Sequence, residues 1–157
     1  MNLLEEDIFA VFYQNANQER AQNMAAYMRN LFPFLGISKP ERGALSKGFL
    51  KECKKAQAIN WHFIEQCWSR EREFQYLALD YLKITAHLLT PADVPRLKNL
   101  AINKSWWDTI DFLDRIIGGI ALRYPEVNDI LLAWSTDDNI WLRRIAIDHQ
   151  LLRKNKT

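Results

Sequence analysis

Apolar side chains recur every three or four residues along almost the whole chain, and this spacing constrains the fold more than any other feature of the sequence. Such a period places the apolar side chains on one face of an α-helix. No stretch alternates apolar and polar residues for long enough to predict a β-strand. We therefore predict nine helices, over residues 3–15, 18–30, 40–55, 59–68, 71–88, 91–102, 106–122, 127–134 and 139–153.

Capping signals support several of these boundaries. In "TPAD", Thr90 precedes Pro91 and Asp93 falls in the first turn, a pattern typical of a helix start. In "SWWD", Ser105 is expected at an N-cap. Asp108, three residues further on, is then expected to accept a hydrogen bond from the backbone N–H of the cap.

The spacing of the predicted helices indicates how they pack. Short links join them, so neighbouring helices are expected to run antiparallel. The helix pairs recur about every 35 to 45 residues, the range of two-helix solenoid repeats. We therefore predict an all-α protein, a right-handed α-solenoid of HEAT-like antiparallel helix pairs that occupies residues 1–157 as one domain. A compact orthogonal helix bundle is the alternative.

The composition excludes several classes of protein. No segment approaches the roughly 20 apolar residues of a membrane-spanning helix. The acidic residues Glu5, Glu6 and Asp7 are unlike the start of a signal peptide, so we expect a cytoplasmic protein with no membrane partner. The two cysteines and three histidines are scattered without ligand spacing, which indicates neither a disulfide framework nor a metal site.

The positive charge is concentrated in one part of the chain. The whole protein carries 21 basic and 19 acidic residues, a net charge of +2. Residues 37–70 alone carry seven basic and three acidic residues, a local net charge of +4. This basic stretch can form a face that contacts phosphate groups. A solvated helix face explains its lysines equally well.

Two stripes of side chains run along the predicted helix 106–122. One is apolar and predicted to face the core, and it comprises Trp106, Ile110, Leu113, Ile117 and Ile120. The other lies about 100° around the helix. It comprises Trp107, Asp111, Asp114 and Gly118.

The second stripe places an indole and a carboxylate one turn apart. The face of an indole attracts cations, and the Asp111 carboxylate adds a full negative charge beside Trp107. The pair predicts a site for a positively charged group that is planar or sugar-like. In the alternative interpretation Trp107 covers a neighbouring repeat, Asp111 has no specific role, and Gly118 and Gly119 only allow close helix packing. Asp114 is expected to be solvated, or to assist Asp111 at most.

A second constellation lies in "DDNIWLRR", residues 137–144. Asn139 is expected to cap the following helix. Arg144 can reach Asp148 one turn further on, although an ion pair on a surface adds little stability. Periodicity does not decide whether Arg143 or Arg144 faces a groove.

Four collinear stretches resemble a known family. They are "MAAYMRNLFPFLGISKPER" (24–42), "EREFQYLALDYLK" (71–83), "NKSWWDTIDFLD" (103–114) and "TDDNIWLRRIAI" (136–147). In sequence, order and spacing they are similar to the bacterial DNA alkylation repair enzymes, the AlkD-like 3-methyladenine DNA glycosylases. The resemblance extends from near residue 1 to the end of the sequence.

The resemblance implies a HEAT-like solenoid whose concave, basic face holds double-stranded DNA. Family enzymes excise cationic alkylated bases, notably N3-methyladenine and N7-methylguanine, without a metal or other cofactor. Carried over by motif, the catalytic carboxylate is Asp111 and the tryptophan that faces DNA is Trp107. The arginine that contacts the DNA backbone near the lesion is Arg144. The other expected phosphate contacts are Lys104, Lys39 and Arg42.

Two features depart from the family pattern. Family members continue for several more helices, so this chain is expected to correspond to the N-terminal two-thirds of the family domain. In "PERGAL", Gly43 stands where a basic residue would be natural, which removes one expected phosphate contact. A non-catalytic HEAT-like module that binds DNA or protein is therefore the alternative to an enzyme.

Overall fold

The computed structural model describes residues 3–150, and side chains from residue 5 onward. Within that range the protein is all-α, as predicted, and contains nine α-helices, two 3₁₀ turns and no strand. The helices are α1 (Leu3–Gln14), α2 (Gln18–Tyr27), α3 (Lys39–Cys53), α4 (Trp61–Trp68), α5 (Arg72–Ile84), α6 (Val94–Ile102), α7 (Trp107–Arg123), α8 (Val127–Trp134) and α9 (Ile140–Asp148). None of these helices is long and apolar enough to cross a membrane.

Most helix boundaries lie within two residues of the predicted ones, but the predicted helix 18–30 ends at Tyr27, because Arg29 and Asn30 have positive φ angles. The predicted helix 71–88 ends as an α-helix at Ile84, and a separate 3₁₀ turn follows at Ala86–Leu88. The predicted helix 91–102 begins with a 3₁₀ turn, at whose start the Asp93 carboxylate accepts a hydrogen bond from the Thr90 backbone N–H at 2.9 Å. The last predicted helix, 139–153, ends earlier than predicted, because α9 ends at Asp148 with His149 as its C-cap, and residues 151–153 lie outside the described range.

The predicted N-cap at Ser105 is wrong. Trp106 occupies the N-cap of α7 in an extended conformation, without a side-chain cap hydrogen bond. The Ser105 hydroxyl instead donates to the Ala101 carbonyl at the end of α6, at 2.5 Å. The Asp108 carboxylate accepts from the Thr109 backbone N–H at 2.9 Å. Serine hydroxyls form such bonds to the carbonyl four residues earlier, and Ser105 uses this option rather than capping the next helix.

The chain divides into two compact units, Met1–Thr85 and Ala86–Thr157, which are described separately. The prediction of one continuous domain over residues 1–157 stays a prediction. In the first unit, α3 packs on α1 and α5, and α4 packs on α5. Its core is aromatic, with Phe12, Phe63 and Phe74 almost wholly buried.

A buried carboxylate organises the loop between α2 and α3 of the first unit. Glu73 is fully buried and accepts hydrogen bonds of 2.8 to 3.0 Å from the backbone N–H groups of Leu35, Gly36 and Ile37. Gly36 has a φ of +91°, and a Cβ there would lie 2.1 Å from the Asn17 carbonyl oxygen. Only glycine fits this position. The loop therefore depends on a glycine for its shape and on Glu73 for its backbone hydrogen bonds.

In the second unit, α9 packs on α6, α7 and α8. The predicted apolar stripe of α7 is buried: Ile110, Leu113, Ile117 and Ile120 have no exposed surface, and only Trp106 is half-buried. A Cβ at Gly118 would lie 2.0 Å from the His149 carbonyl oxygen, whereas one at Gly119 would meet nothing within 4 Å. The expectation that glycine allows close helix packing is thus confirmed at Gly118 and wrong at Gly119.

Candidate functional site

The second stripe of α7 lies at the surface at its N-terminal end and enters the interior further along. Trp107, the first residue of the helix, is 45% exposed. The Asp111 side chain is 40% exposed. Asp114, one turn beyond, is only 2% exposed, so the expectation that it is solvated is wrong. Asp114 lies inward of Asp111 because the packing of α9 against α7 covers that part of the helix.

Arg144 of α9 forms a two-pronged ion pair with Asp111 of α7. Nε donates to Oδ1 at 2.6 Å and Nη2 donates to Oδ2 at 3.0 Å. Nη2 also lies 3.5 Å from Oδ2 of Asp148, so the predicted contact one turn along α9 is confirmed. The hydrogen bonds from Arg144 to Asp111 raise the pKa of the guanidinium above its usual value. Arg144 is therefore a fixed positive charge between two carboxylates.

The Arg144 guanidinium also lies against the Trp107 indole, with its Cζ 4.5 Å from the ring centroid. In the DNA-free protein the cation that lies against the Trp107 indole is therefore Arg144 of the same chain. Arg143 does not join this ion pair, because its Nη1 donates to the backbone carbonyls of Asp137 and Asp138 at 2.7 and 3.1 Å. Of the two adjacent arginines, Arg144 is the one that contacts Asp111 and Trp107.

Three indoles meet beside the ion pair. The ring centroids of Trp107 and Trp141 are 5.0 Å apart, and Trp106 lies 6.4 Å from Trp107 and 5.9 Å from Trp141. The helical spacing within α7 and within α9 gives no sign that Trp141 meets Trp107. The cluster therefore gives Trp107 support from two helices while leaving its outer face exposed.

One oxygen of the Asp114 carboxyl group, Oδ1, is buried without a hydrogen-bond donor among the described residues. Burial, together with the nearby Asp111 and Asp148 charges and against the opposing effect of Arg115 and Arg144, raises the pKa of Asp114 from 3.8 to about 7. Asp114 thus changes its charge near neutral pH.

A comparison of the sequence with protein families gives a match over residues 8–157 to the model described as "DNA alkylation repair enzyme". The chain belongs to the DNA alkylation repair enzyme family. Among solved structures it is similar to a predicted DNA alkylation repair enzyme from Enterococcus faecalis, with 33% sequence identity and a TM-score of 0.79. That similarity covers 90% of this chain and 68% of the other. A search of curated proteins finds no match.

The other three expected DNA contacts, Lys104, Lys39 and Arg42, differ in their exposure and in their contacts within the protein. Lys104 is exposed and has a φ of +55° in the link between α6 and α7, two residues before Trp106. Lys39 is exposed at the first position of α3, in the other unit. Arg42 is 9% exposed, with Nε 3.4 Å from Oδ2 of Asp80 and Cζ 4.9 Å from the Tyr76 ring centroid. These contacts hold the Arg42 guanidinium within its own unit, and its expected contact with a DNA phosphate stays a prediction.

A group of carboxylates in this family member could also hold a metal ion. One oxygen each from Asp111, Asp114 and Asp148 lie within 4.8 Å of one another. Carboxylate oxygens are the ligands that hard divalent cations prefer. Arg144, however, already pairs with two of the three, so an ion would have to compete with the guanidinium.

An open cavity of about 350 Å³ adjoins the ion pair. Its walls combine two indoles, two isoleucines and the charged groups of α9, and they are formed by Trp107, Ile140, Trp141, Arg143, Arg144, Ile147 and Asp148. The surface beside Asp111 is therefore concave and partly apolar. Such a surface suits a flat ring with a polar edge.

Proposed function

We propose that this chain is a DNA glycosylase that hydrolyses the N-glycosidic bond of cationic alkylated purines, such as N3-methyladenine and N7-methylguanine, in double-stranded DNA. The observation that carries the proposal is the arrangement at the surface of α7 and α9. An exposed indole, a half-exposed carboxylate and an arginine lie within one ion-paired group. Membership in the DNA alkylation repair enzyme family supports DNA as the partner.

The charge of the Asp111 carboxylate suits this reaction. Alkylation makes the base cationic, so the base leaves as a neutral molecule with the electron pair of the C1′–N bond. Positive charge then develops on the deoxyribose, as it does in the hydrolysis of other glycosides. A carboxylate beside that sugar stabilises the developing charge. It also orients the water whose oxygen bonds to C1′ and accepts the proton that the water loses.

Trp107 provides a second stabilising surface for the same cation. Its indole face attracts positive charge and its exposed side is available to a bound sugar. Trp106 and Trp141 pack against the Trp107 ring edge to face and hold it in place. A rigid support matters because rates depend on reacting groups being held in nearly the productive geometry.

Arg144 would change partners when DNA binds. In the DNA-free protein it neutralises Asp111, whereas the proposed reaction needs Asp111 as a negative charge facing the sugar. A phosphate offers a guanidinium the same two-pronged geometry as a carboxylate. A phosphate next to the lesion would therefore draw Arg144 away from Asp111 and leave the carboxylate free to act. Lys104 and Lys39 would bind other phosphates and fix the register.

The proposal is tested by the release of free base from DNA that contains N7-methylguanine. Asp111→Asn keeps the size of the side chain and removes its charge, and Asp138→Asn removes an exposed carboxylate away from the ion pair. The parent and Asp138→Asn are expected to release base at similar rates. Asp111→Asn is expected to be slower by about 10²-fold or more, the usual effect of removing a group that stabilises transition-state charge.

If the parent releases base no faster than spontaneous depurination does, the proposed glycosylase activity is refuted. DNA binding measured in the same samples then identifies what remains. Affinity that falls steeply with salt would indicate the alternative, a non-catalytic DNA-binding module, because contacts with phosphates release counterions. No affinity for DNA would leave a protein-binding module.

A further inference from the structure

We propose that the first unit contains a binding site for a small organic cation, an amidinium or guanidinium group on an aromatic body. The site is an open cavity of about 420 Å³, whose wall includes the carboxylate of Glu5 and the phenyl rings of Phe49 and Phe63. Cavities of this size, above about 300 Å³, are the usual sites of small ligands. The site is separate from the proposed function, because Asp111 and Arg144 belong to the second unit.

Asn60 fixes the polar side of the cavity. Its side-chain amide donates to Oε1 of Glu5 on α1, and its side-chain oxygen accepts from the Phe63 backbone N–H at the start of α4, at 3.0 Å. Its backbone N–H donates to the hydroxyl oxygen of Tyr81 on α5, at 2.8 Å. One residue therefore connects groups from three helices. A site whose polar groups are already held in place loses less conformational entropy when a ligand binds.

Glu5 gives the cavity its preference for positive charge. The residue is only 3% exposed, so its carboxylate lies where water screens charge poorly and an opposite charge is attracted more strongly. A carboxylate can accept about four hydrogen bonds, more than the Asn60 amide alone supplies. An amidinium or guanidinium group presents two parallel N–H donors to the two oxygens of a carboxylate. A planar cation of this kind therefore matches Glu5 in both charge and geometry.

The other ionisable groups of the wall leave this preference in place. Lys55 and Glu52 also line the cavity, and Nζ of Lys55 donates to both carboxylate oxygens of Glu52 at 3.0 Å. Burial, with the charges of Glu5 and Glu52, raises the pKa of the Cys53 thiol to about 11, so the thiol stays neutral at pH 7. The lining residues then carry two negative charges and one positive charge. An anion would be repelled by this surplus.

Aromatic rings form the apolar part of the wall. The ring centroids of Phe49 and Phe63 are 5.2 Å apart, and the Tyr81 ring lies 5.3 Å from that of Phe63. The faces of such rings attract cations, and contact with them removes the apolar body of a ligand from water. A ligand with a planar charged head and an aromatic body therefore matches both parts of the wall. A bare cation matches only the carboxylate.

The site is tested by NMR titration of the whole chain with benzamidine at pH 7 and constant ionic strength. Benzamidine is expected to bind with a Kd of about 1 mM or tighter, within reach of so small a ligand, and to shift the amide resonances of Asn60 most. Benzamide has the same shape without the charge, and guanidinium chloride has the charge without the ring. Each is expected to bind more weakly by about 10-fold or more. Equal affinity for benzamide, or no shift at Asn60 with benzamidine, would overturn the proposal.

Substitution of Glu5 tests the carboxylate directly. Glu5→Gln removes the charge but keeps the size of the side chain and an oxygen that can accept from Asn60. It is expected to weaken benzamidine binding by about 10-fold or more, because a buried charge of the ligand loses its partner. Glu6→Gln is the matched control, since it removes the same charge at the next, exposed position of α1, and it should change the affinity by no more than about twofold. Equal losses in the two variants would show a general effect of charge and would also overturn the proposal.

The comparison of benzamidine with benzamide uses the parent protein alone, so it decides the proposal even if Glu5→Gln does not fold. The base-release assay decides the proposed function separately. A chain that releases no alkylated base but binds benzamidine beside Glu5 would refute the glycosylase and keep this site. A chain that releases base but shows no benzamidine shift at Asn60 would keep the glycosylase and refute this site.

Discussion

Arg144 and Asp111 meet edge to edge, through two hydrogen bonds of 2.6 and 3.0 Å between a planar guanidinium and a planar carboxylate. Lysine cannot reproduce this geometry, because its ammonium group has no second donor in a fixed plane. The two residues belong to α7 and α9, and α8 separates these helices in the sequence. The pair therefore exists only where α9 packs against α7, and the chemistry of the site depends on that packing.

Substitution of two adjacent glycines of α7, Gly118 and Gly119, tests the contact between α7 and α9. Gly118→Ala would place a Cβ 2.0 Å from the His149 carbonyl oxygen, so α9 would have to move. We expect a loss of about 2 kcal/mol or more in the free energy of unfolding, as for other overpacked positions. Gly119→Ala meets nothing within 4 Å and is expected to stabilise the protein by up to about 1 kcal/mol, because alanine favours helix. Urea unfolding measures both, and equal effects of the two substitutions would contradict the close contact.

The stability of the chain is expected to depend on pH through Asp114. Its pKa is about 7 in the folded protein against an ordinary value of 3.8, so the folded state keeps a proton that the unfolded state has lost. The resulting stabilisation is present below the ordinary pKa and is lost as the pH rises through about 7. We expect the free energy of unfolding to fall by roughly 2 to 3 kcal/mol between pH 5 and pH 8. Asp114→Asn should abolish that part of the decrease, which is measured by urea unfolding at both pH values.

Asp138→Asn serves as the control for this pH effect, because it also replaces one aspartate by asparagine but at an exposed position. Its stability should follow the parent's at both pH values. The same slope in all three proteins would show that the buried carboxyl is not the source of the pH dependence.

Lys104 combines a positive charge with a strained backbone. Its φ of +55° is unfavourable for any residue with a Cβ. Lys104→Ala removes the charge and keeps the strain, whereas Lys104→Gly removes both, and glycine should make the protein more stable than alanine by about 1 kcal/mol. If Lys104 contacts one phosphate, both substitutions should reduce the slope of log affinity for DNA against log salt by about 0.9. An unchanged slope in both would remove Lys104 from the set of phosphate contacts.

Glu73 is expected to tolerate substitution poorly. Its carboxylate is fully buried and accepts hydrogen bonds from the three backbone N–H groups of residues 35–37. Glu73→Gln replaces one acceptor oxygen by a donor that faces these N–H groups. We expect a loss of about 2 to 4 kcal/mol, the range for a buried group left without its partners. Glu65→Gln, at an exposed position of α4, is the control in thermal unfolding and should have little effect.

The sequence predicts most of the fold because helices leave a strong local signal. The period of apolar residues gives all nine described helices, and the capping residues of "TPAD" mark the start at Thr90 correctly. The error at Ser105 arises because a serine hydroxyl has two local partners, the next helix and the preceding one. Only the geometry of the link decides between them.

The candidate site is less predictable, because it depends on which helices pack together. Helical spacing alone pairs Trp107 with Asp111 and Arg144 with Asp148. It gives no distance between α7 and α9, so the bond between Arg144 and Asp111 and the contact of Trp141 with Trp107 appear only in the structure. The burial of Asp114 is missed for the same reason. On an isolated helix its spacing from Asp111 indicates solvent, and the packing of α9 against that face makes it interior.

The stacking of Arg144 on Trp107 also gives the protein an optical signal. The emission of an indole shifts when a charge lying over its ring moves away, and the guanidinium here is 4.5 Å from the centre of the ring. Transfer of Arg144 to a phosphate would remove that charge and expose the ring to a different neighbour. The part of the emission that comes from Trp107 should therefore change when the arginine exchanges its partners, so that the exchange can be timed in a stopped-flow instrument without labelling either the protein or the DNA.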